Sequence, residues 1–557
     1  MRARQITRVV AACAIATVVG AISIFPANAA VRRQGGGGGD IVIGAEQEGD
    51  CADWISSCAG SSWQIWIMGQ HTMPRTFDFV PKSKTSIVYE RNVLLASEPT
   101  VEEEGGKTVI TYEINPDAVW SDGEPITSHD FFYTWDQIVN GEDIYDPTGY
   151  IDIESVDDSD PAVAVVTFST PYSGWRSLFG GQYGIYPSHI LEGQDRNAAT
   201  VNGYDWSGGP YIADWQKGVS VTLTPNPNWY GDPVKNDSVT FQFLTDTAAE
   251  FQAFTSGQVD AIYPQPQPDV IEQIEAGIEG ANSYFTPYTP NAEALWINNA
   301  AFPFDSVKVR QAFAYSIDRD VVVERLFGGL GITEALNTIN PPITAEFADT
   351  EAFSKYTLNL KKVKQLMTSD GWEKNADGFW EKDGEQADIV IQSTEGNARR
   401  ALTEEILQEL LGNAGFNLTI ENHSAGDLFG QNLPNGDFQV GLYAQVATQL
   451  EPGNCSIFCS YNIPTEDNEF SGQNWTRTDL PQIDPLLETV GSSSDSDEVA
   501  AANKKADKIS AKFLISLPLD PLPNISLWSK DIKGINKKAP DSGVFALFWN
   551  LAEWTKS

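Results

Sequence analysis

The stretch of sequence that decides the fold is residues 207–262, SGGPYIADWQKGVSVTLTPNPNWYGDPVKNDSVTFQFLTDTAAEFQAFTSGQVDAI. It begins with two glycines and a proline, which let a chain take a positive φ and then fix one, as a passage between domains requires. Alternating apolar residues predict a half-buried strand over 219–223. Residues 247–250 are spaced as a capping box and predict a helix that ends near Gly257. This order of strands and a capped helix is typical of an α/β protein.

The composition is that of a globular and strongly acidic protein. The 557 residues include 76 acidic and 36 basic side chains, which gives a net charge of −40. The length favours two to four domains, and an apolar fraction of 41% is ordinary for a globular chain. A negative field of this size repels nucleic acid and anionic membrane surfaces. We therefore expect no nucleic-acid partner.

Residues 1–29 have the pattern of a secretory signal peptide. Three arginines precede an apolar run over residues 9–25, and Ala27-Asn28-Ala29 forms a cleavage site. One alternative is a lipobox in which Cys13 is lipidated and kept, and another is an uncleaved N-terminal anchor. A glycine-rich tether follows at residues 30–39. The chain is predicted to be exported to the periplasm or the cell exterior and to remain associated with the cell envelope.

The other cysteines form two close pairs in the sequence, Cys51 with Cys58 and Cys455 with Cys459. In an oxidising compartment such pairs indicate two small-loop disulfides, although four cysteines allow three connectivities. A zinc site is the alternative, but spacings of six and three intervening residues differ from the CxxC pairs that zinc favours. We expect disulfides and no metal.

Short strands and turns dominate the chain up to about residue 206, and helices alternate with strands after it. In the early part, a turn at Ser121-Asp122-Gly123 precedes a helix capped by Thr127 and Asp130. Later helices are predicted at 358–371, 401–411 and 500–513, and strands at 416–420, 438–443 and 518–528. The pattern indicates an α/β protein with an early β-rich insertion.

Five short motifs follow one another along almost the whole chain, from about residue 40 to 535. They are WSDGEPIT with Asp130 at 120–130, GGPY at 208–211 with NPNWY at 226–230, GQVD at 257–260, Asn299 with PF at 303–304, VRQAF at 309–313 and IDR at 317–319, and PLDPL at 518–522. In this order they resemble the family 5 extracellular solute-binding proteins, the dipeptide and oligopeptide type that serves ABC importers. Each motif is weak alone, but five in register are specific.

The resemblance implies an α/β, periplasmic-binding-protein-like fold of class II with three lobes. A β-rich extra lobe is inserted early, and ligand lies in a cleft between lobes I and III, which close about hinges. Lobe I then comprises 40–70, 207–300 and 524–557, lobe II 71–206, and lobe III 301–523. The candidate hinges are Gly208-Gly209 and the region of Asn298-Asn299.

The resemblance also implies a function. The protein is then a monomeric receptor that captures a peptide or similar small solute and delivers it to the permease subunits of an ABC importer. The alternative within the same role is an oligosaccharide or a metal chelate as the solute. No cofactor is implied.

Peptide binders of this family carry a W-x-A-D-Y-x-x-P segment in lobe III, whose aspartate pairs with the peptide's α-ammonium group. The matching residues 445–452 read QVATQLEP, with Gln445 at the tryptophan and Thr448 at the aspartate. A buried ammonium group without a carboxylate is costly, and Glu451 can supply one only if the loop shifts its register. Aromatic side chains in lobe III suit stacking on sugars or packing against peptide side chains. The candidate ligand-binding residues are Asn299, Gln445, Thr448, Glu451 and Trp475.

Familiar catalytic motifs are missing from the sequence. It has no G-x-S-x-G, H-E-x-x-H or P-loop motif, and its four histidines are widely scattered. We therefore predict a binding protein and not an enzyme. A secreted glycoside hydrolase is the alternative from another class, because among 76 acidic residues some carboxylates lie in pairs.

Overall fold

The computed structural model of the chain describes residues 37–56, 58, 62–145, 147–180, 184–447, 449–468, 470, 472–493 and 495–557. The predicted signal peptide, most of the tether and Thr448 lie outside the described residues. No helix of the described part is long and apolar enough to cross a membrane.

The strands are numbered in chain order. They are β1 (Asp40–Ala45), β2 (Phe77–Ser83), β3 (Ser86–Arg91), β4 (Thr100–Glu104), β5 (Lys107–Glu113), β6 (Ile153–Asp160), β7 (Val163–Phe168), β8 (Tyr211–Gln216), β9 (Ser220–Pro225), β10 (Ser238–Phe243), β11 (Ala261–Ile262), β12 (Ala281–Thr286), β13 (Asn291–Ile297), β14 (Glu373–Lys374), β15 (Trp380–Lys382), β16 (Glu385–Gln386), β17 (Asp388–Gln392), β18 (Asn417–Ile420), β19 (Val440–Val446), β20 (Ser516–Asp520), β21 (Asn524–Ser529), β22 (Ile532–Lys533) and β23 (Thr555–Lys556).

The longer α-helices are numbered in the same way. They are α1 (Ser128–Asn140), α2 (Thr247–Thr255), α3 (Pro268–Ala276), α4 (Val307–Tyr315), α5 (Arg319–Phe327), α6 (Leu360–Ser369), α7 (Ala398–Ala414), α8 (Asp484–Ser492) and α9 (Ser496–Phe513). Shorter helical segments include Ser62–Gln64 with Ile65–Gly69 and Gln70–Thr72, Ser173–Ser177, Pro342–Phe347, Cys455–Phe458 and Ala546–Glu553.

Two mixed sheets form the framework. The first sheet has the strand order β12-β21-β11-β1-β10-β9-β8, and the second has the order β18-β17-β19-β13-β20. A third, antiparallel sheet of order β4-β5-β7-β6 comes from the early part of the chain and packs against α1. Helices alternate with the strands of the first two sheets, which confirms the predicted α/β class with an early β-rich insertion.

The predicted boundary between lobes I and III at residue 300 differs from the sheet pairing. β13 pairs with β19 and β20, so residues 291–297 belong to the second sheet. The chain therefore crosses between the two sheets at 287–290, and again at 521–523 between β20 and β21. Asn298-Asn299, predicted as a hinge, lies at the far end of β13 from this crossing. The sequence does not show this, because the sheet to which β13 belongs is decided by strands that are distant in the chain.

The stretch 207–262 forms the predicted strands and helix with three local differences. The glycines are required by close packing, since a Cβ on Gly209 would lie 2.4 Å from the carbonyl oxygen of His71. β9 begins at Ser220, and Val219 is 58% exposed in the preceding turn. The cap of α2 is Asp246, whose carboxylate accepts the Ala249 N–H, so Glu250 is freed from capping and buried.

The cysteine prediction is confirmed. Cys51 bonds to Cys58, and Cys455 bonds to Cys459. The second disulfide closes one turn of helix directly after the segment 445–452. It therefore restrains the C-terminal end of that segment.

Candidate functional site

The two segments that cross between the sheets are bonded to each other. Thr289 donates its hydroxyl to the carbonyl oxygen of Pro521 at 2.8 Å. Asn291 Nδ2 donates to Asn524 Oδ1 at 3.0 Å. Because both crossings are short and coupled, any change in the angle between the sheets has to occur about this pair of segments.

The loop after β19, residues 447–454, lies beside these crossings and is called the junction loop below. The N–H of Ala447 donates to the carbonyl oxygen of Pro290 at 2.9 Å. At its other end, Asn454 Nδ2 donates to Asn340 Oδ1 at 2.7 Å, and the Cys455–Cys459 disulfide follows. The loop is therefore fixed at both ends, with its described middle residues directed at the early part of the chain.

Two side chains from the early part of the chain bind the junction loop. The hydroxyl of Tyr89, on β3, donates to Glu451 Oε2 at 2.8 Å and accepts the N–H of Leu450 at 3.0 Å. Ser177 Oγ donates to Gln449 Oε1 at 3.2 Å. Three regions of the molecule thus meet at this loop: the two sheets at their crossings and the hairpin β2–β3.

Glu451 supplies a half-buried carboxylate at this meeting point. Burial raises its pKa above the ordinary value, and the hydrogen bond from Tyr89 acts in the opposite direction. The pKa of the Tyr89 hydroxyl is raised well above 10, first by burial and then by the charge of Glu451, so Tyr89 stays a donor. A partly buried carboxylate has lost part of its hydration. A cationic group that binds it replaces that hydration with an ion pair and a charge-assisted hydrogen bond.

The C-terminal loop 541–545 reaches the same place from the first sheet. Gly543 has a φ of +68°, and a Cβ there would lie 3.0 Å from Ile87 Cδ1 and 3.4 Å from Pro290 Cδ. Trp66 Nε1 donates to the carbonyl oxygen of Val544 at 2.9 Å. The positive φ and the close approach of Ile87 together favour glycine at position 543.

A buried acid and a set of aromatic rings lie behind this loop. Asp541 accepts the hydroxyl of Tyr263 at 2.7 Å, and burial raises the pKa of Asp541 to about 6. The ring of Trp66 lies 5.3 Å from that of Tyr263 and 5.4 Å from that of Trp63. Trp66 is only partly buried, so an apolar surface with fixed orientation borders the junction.

A buried ion cluster sets the position of β13 and β20 next to the crossings. Arg399 binds both oxygens of Glu293 at 2.9 Å, and Arg400 Nε lies 3.2 Å from Glu293 Oε1. Burial alone raises the pKa of Glu293, but the two guanidinium groups outweigh it and lower it to about 2. Asp520, opposite Glu293 in the ladder, has its pKa raised to about 7 by burial and by the charge of Glu293.

The predicted ligand-binding residues fall into two groups. Gln445 is half-buried on β19 opposite Ala292, close to the junction loop that contains Glu451, whereas Thr448 lies outside the described residues. Asn299 and Trp475 lie beyond the other end of β13, and β13 itself extends about 20 Å from Asn291 to Ile297 at about 3.4 Å per residue. Gln445 thus lies on the strand that leads into the junction loop of Glu451, and Asn299 and Trp475 lie towards the opposite end of β13.

The two distant side chains are engaged in packing. Asn299 Nδ2 donates to the carbonyl oxygens of Ile297, Thr476 and Ile515 at 2.9 to 3.0 Å. Trp475 is 8% exposed, and its ring lies 5.9 Å from that of Tyr443. Both residues hold the second-sheet core at that end of β13.

Tyr89, Asp541 and Trp66 were missed by sequence reasoning. The sequence around each of them does not indicate a binding site, because each contacts its partner only in the folded chain. Tyr89 and Glu451, for example, are 362 positions apart. Among the described residues, no group of three or more His, Cys, Asp and Glu side chains is arranged to hold a metal ion.

Comparisons with known proteins agree with this architecture. The chain matches the description "bacterial extracellular solute-binding proteins, family 5 Middle" over residues 92–462. The oligopeptide-binding protein OppA of Mycobacterium tuberculosis (strain ATCC 25618 / H37Rv) is 26% identical over 476 residues, 83% of this chain and 77% of that protein.

Two solved structures show the same fold. The periplasmic EDTA-binding protein EppA superposes with a TM-score of 0.81 at 22% identity, over 94% of this chain and 97% of that one. The oligopeptide-binding protein AppA from Bacillus subtilis, in complex with a nonapeptide, superposes with a TM-score of 0.78 at 18% identity, over 93% of this chain and 99% of that one. At these identities the likeness establishes the fold alone.

Proposed function

Because the chain belongs to the family 5 bacterial extracellular solute-binding proteins, we propose that it captures peptides outside the cytoplasm and delivers them to an ABC import permease. The family consists of binding proteins, and its members act outside the cytoplasm. The peptide as solute, the signal peptide at residues 1–29, the monomeric state and the absence of catalysis are parts of the proposal. The ligand is released unchanged to the permease subunits.

The observation that carries the peptide assignment is the position of Glu451. Its half-buried carboxylate lies in the segment that resembles the peptide-binding loop of the family, where the two sheets and the hairpin β2–β3 meet. We propose that it receives the α-ammonium group of a peptide, in place of the aspartate that the sequence lacks at Thr448. A charge-assisted hydrogen bond of this type is about twice as strong as a neutral one.

The ligand is proposed to lie between the two sheets, in the cleft between lobes I and III. The coupled crossings at 287–290 and 521–523 support this, because they allow the sheets to close on a solute while remaining connected. The partly exposed ring of Trp66 borders the same region and offers an apolar face to side chains of variable type.

Thermal unfolding with a panel of peptides tests the proposal. Peptides of two to about nine residues should stabilise the protein, by about 2.7 kcal/mol at a hundredfold excess over the dissociation constant. N-acetylated versions of the same peptides should stabilise it much less, since they lack the ammonium group. Stabilisation by metal chelates or oligosaccharides in place of every peptide would refute the peptide assignment but keep the receptor role.

A further inference from the structure

Two acidic side chains come together at the edge of the first sheet where the parallel strands β1, β10 and β11 end. Glu46 follows β1 directly, and Glu250 lies in the first turn of α2, which packs against β1 and β11. Glu46 is 9% exposed, and Glu250 is fully buried. β12 ends and β21 begins at the same edge, so this pair of acids lies on the side of the sheet from which the crossings start.

The side chain of Glu250 lies against the backbone of β1. A Cβ on Gly44 would lie 3.0 Å from Glu250 Cγ and 3.3 Å from Glu250 Oε1, so the absence of a side chain at Gly44 makes room for this carboxyl group. Glu46 accepts a hydrogen bond from Thr247 of the same helix. Both carboxyl groups therefore lie between β1 and α2.

The two carboxyl groups differ in their hydrogen bonds. Oε1 of Glu46 accepts the hydroxyl of Thr247 at 2.9 Å and the N–H of Gln265 at 3.0 Å. Neither oxygen of Glu250 has a hydrogen-bond partner among the described residues. Because buried polar groups are almost always bonded, two such oxygens on one side chain indicate that a further group binds here.

The charge of this pair is not compensated by the chain. Burial and then the charge of Glu46 raise the pKa of Glu250 well above 4.5, and burial raises the pKa of Glu46 to about 7. No basic side chain acts on either group in the described part of the chain. The neighbouring acids are directed elsewhere, since Asp246 caps α2 and Glu48 accepts the indole N–H of Trp215.

The donors around the pair are oxygen atoms of the kind that calcium prefers. Ca²⁺ takes six to eight oxygen ligands from carboxylates, amide carbonyl groups and water. Glu46 and Glu250 supply carboxylates, and the side chain of Gln265, which lies against Glu46, supplies an amide. Gln265 is half-buried, so water reaches the pair from its side. Zinc and copper prefer nitrogen or sulfur ligands and fit this set less well.

We propose that Glu46 and Glu250 bind a calcium ion, with Gln265 and water completing its coordination. The proton and the ion are alternative occupants: without calcium the pair keeps a proton, and calcium displaces it. With two carboxylates the site is weak, with a dissociation constant of about 0.1–1 mM, as in extracellular calcium modules.

A bound ion would connect three segments of the first sheet region, namely β1, α2 and residues 263–267. Tyr263, at the start of the last segment, bonds to Asp541 beside the junction. Calcium therefore fixes the edge of the first sheet that faces the crossings. This role is independent of which solute the receptor binds.

Calcium titration of the full chain, after treatment with a chelating resin, tests the proposal. At about pH 7.5, CaCl2 at about 10 mM exceeds the expected dissociation constant and should raise the melting temperature of the wild type. At about pH 5 the rise should be smaller, because protons compete for the same carboxylates. NaCl at equal ionic strength is the control for charge screening and should not reproduce the rise.

Two neutral variants locate the site. Glu250→Gln should abolish the calcium-dependent rise in melting temperature, and Glu46→Gln should weaken calcium binding about tenfold or more, since affinity follows the number of charged ligands. Glu272→Gln, at an exposed position of α3, is the matched control and should respond as the wild type does. Circular dichroism verifies that each variant is folded.

The proposal is overturned if calcium leaves the melting temperature of the wild type unchanged, or raises it equally in Glu250→Gln. A wild type whose stability responds to pH and not to calcium would show that the pair holds only a proton.

Discussion

The hydroxyl of Tyr89 lies 2.8 Å from Glu451 Oε2 and connects two segments that are 362 positions apart in the chain. The hydroxyl oxygen of Tyr89 also accepts the N–H of Leu450, so one phenol binds both a carboxylate and a backbone donor of the junction loop. This bond fixes the carboxylate that the proposed function depends on.

Replacement of Tyr89 by phenylalanine should loosen the junction loop. The variant removes the donor to Glu451 and leaves the Leu450 N–H without this acceptor, so the free energy of unfolding should fall by about 1–2 kcal/mol. Urea denaturation measures it. Tyr315→Phe removes a hydroxyl away from the junction and is the matched control. If the free energy of unfolding falls by the same small amount in both variants, the hydrogen bonds of Tyr89 do not stabilise the junction loop specifically.

Replacement of Glu451 by glutamine should reduce affinity for peptides with a free ammonium group by about tenfold or more, since a charge-assisted bond to a charged group is worth about 1.5–3 kcal/mol. Affinity for N-acetylated peptides should change little. Isothermal titration calorimetry measures both, with Glu421→Gln as an exposed control. Equal losses for the two kinds of peptide would contradict the assigned role of Glu451.

Peptide affinity should also depend on pH through Glu451. Its carboxylate is the binding form, and burial raises its pKa. Affinity should therefore be full at neutral pH and fall as the pH decreases, beginning at a higher pH than an ordinary glutamate predicts. The same titration at several pH values measures this, and E451Q should show no such dependence.

A buried pair of glutamates should make the free energy of unfolding decrease as the pH rises. Glu250 is fully buried, its carboxylate has no hydrogen-bond partner among the described residues, and its pKa is raised well above 4.5 by burial and by Glu46. Burial also raises the pKa of Glu46 to about 7. The folded chain thus keeps protons that the unfolded chain has released, so the stability from this pair is full at low pH and is lost as the pH rises through about 7.

Replacement of Glu250 by glutamine should remove most of this loss. The variant should be closest to the wild type at about pH 5 and should exceed its free energy of unfolding at about pH 8, because the wild type must then either keep the buried proton or bury a charge. Urea denaturation across that pH range measures the difference. Glu272→Gln is the exposed control on α3 and should leave the profile unchanged. A variant less stable than the wild type at both pH values would show that Glu250 is not a buried neutral acid.

Replacement of Arg399 by methionine should be strongly destabilising. It leaves Glu293 buried with Arg400 as its remaining cation, and breaking a buried pair costs about 3–5 kcal/mol. Arg325→Met, at an exposed position of α5, should cost much less. Thermal unfolding distinguishes them, and similar midpoints for the two variants would mean that the ion cluster does not hold β13 in place.

The parts of the fold that were predictable depend on neighbours in sequence. The capping box of Thr127 and Asp130 forms as expected, because its partners are three residues apart. The disulfides are equally local. The pairing of β13 with β19 and β20 differs from the predicted lobe boundary, because nothing in the sequence of β13 itself reveals these partners. Prolines 287 and 290 mark the crossing, but prolines are equally common in ordinary turns.

The candidate site was predictable only in part for the same reason. The segment 445–452 was found through its resemblance to a known loop, and the fold places its Glu451 at the junction. Tyr89 is an ordinary strand residue until the hairpin meets that loop. Asn299 matches a motif position, yet its amide is bonded to three backbone carbonyl groups that come from separate segments. Resemblance locates a position, and tertiary contacts decide what its side chain does.

Native mass spectrometry of the protein purified without denaturation tests the central claim most directly, since a receptor that closes about its ligand keeps it during purification. Peptide capture through Glu451 predicts a series of bound masses that fragment as peptides with free amino termini, and a marked loss of this series in Glu451→Gln. A single bound sugar or metal chelate, in the wild type and the variant alike, would contradict peptide capture by this protein.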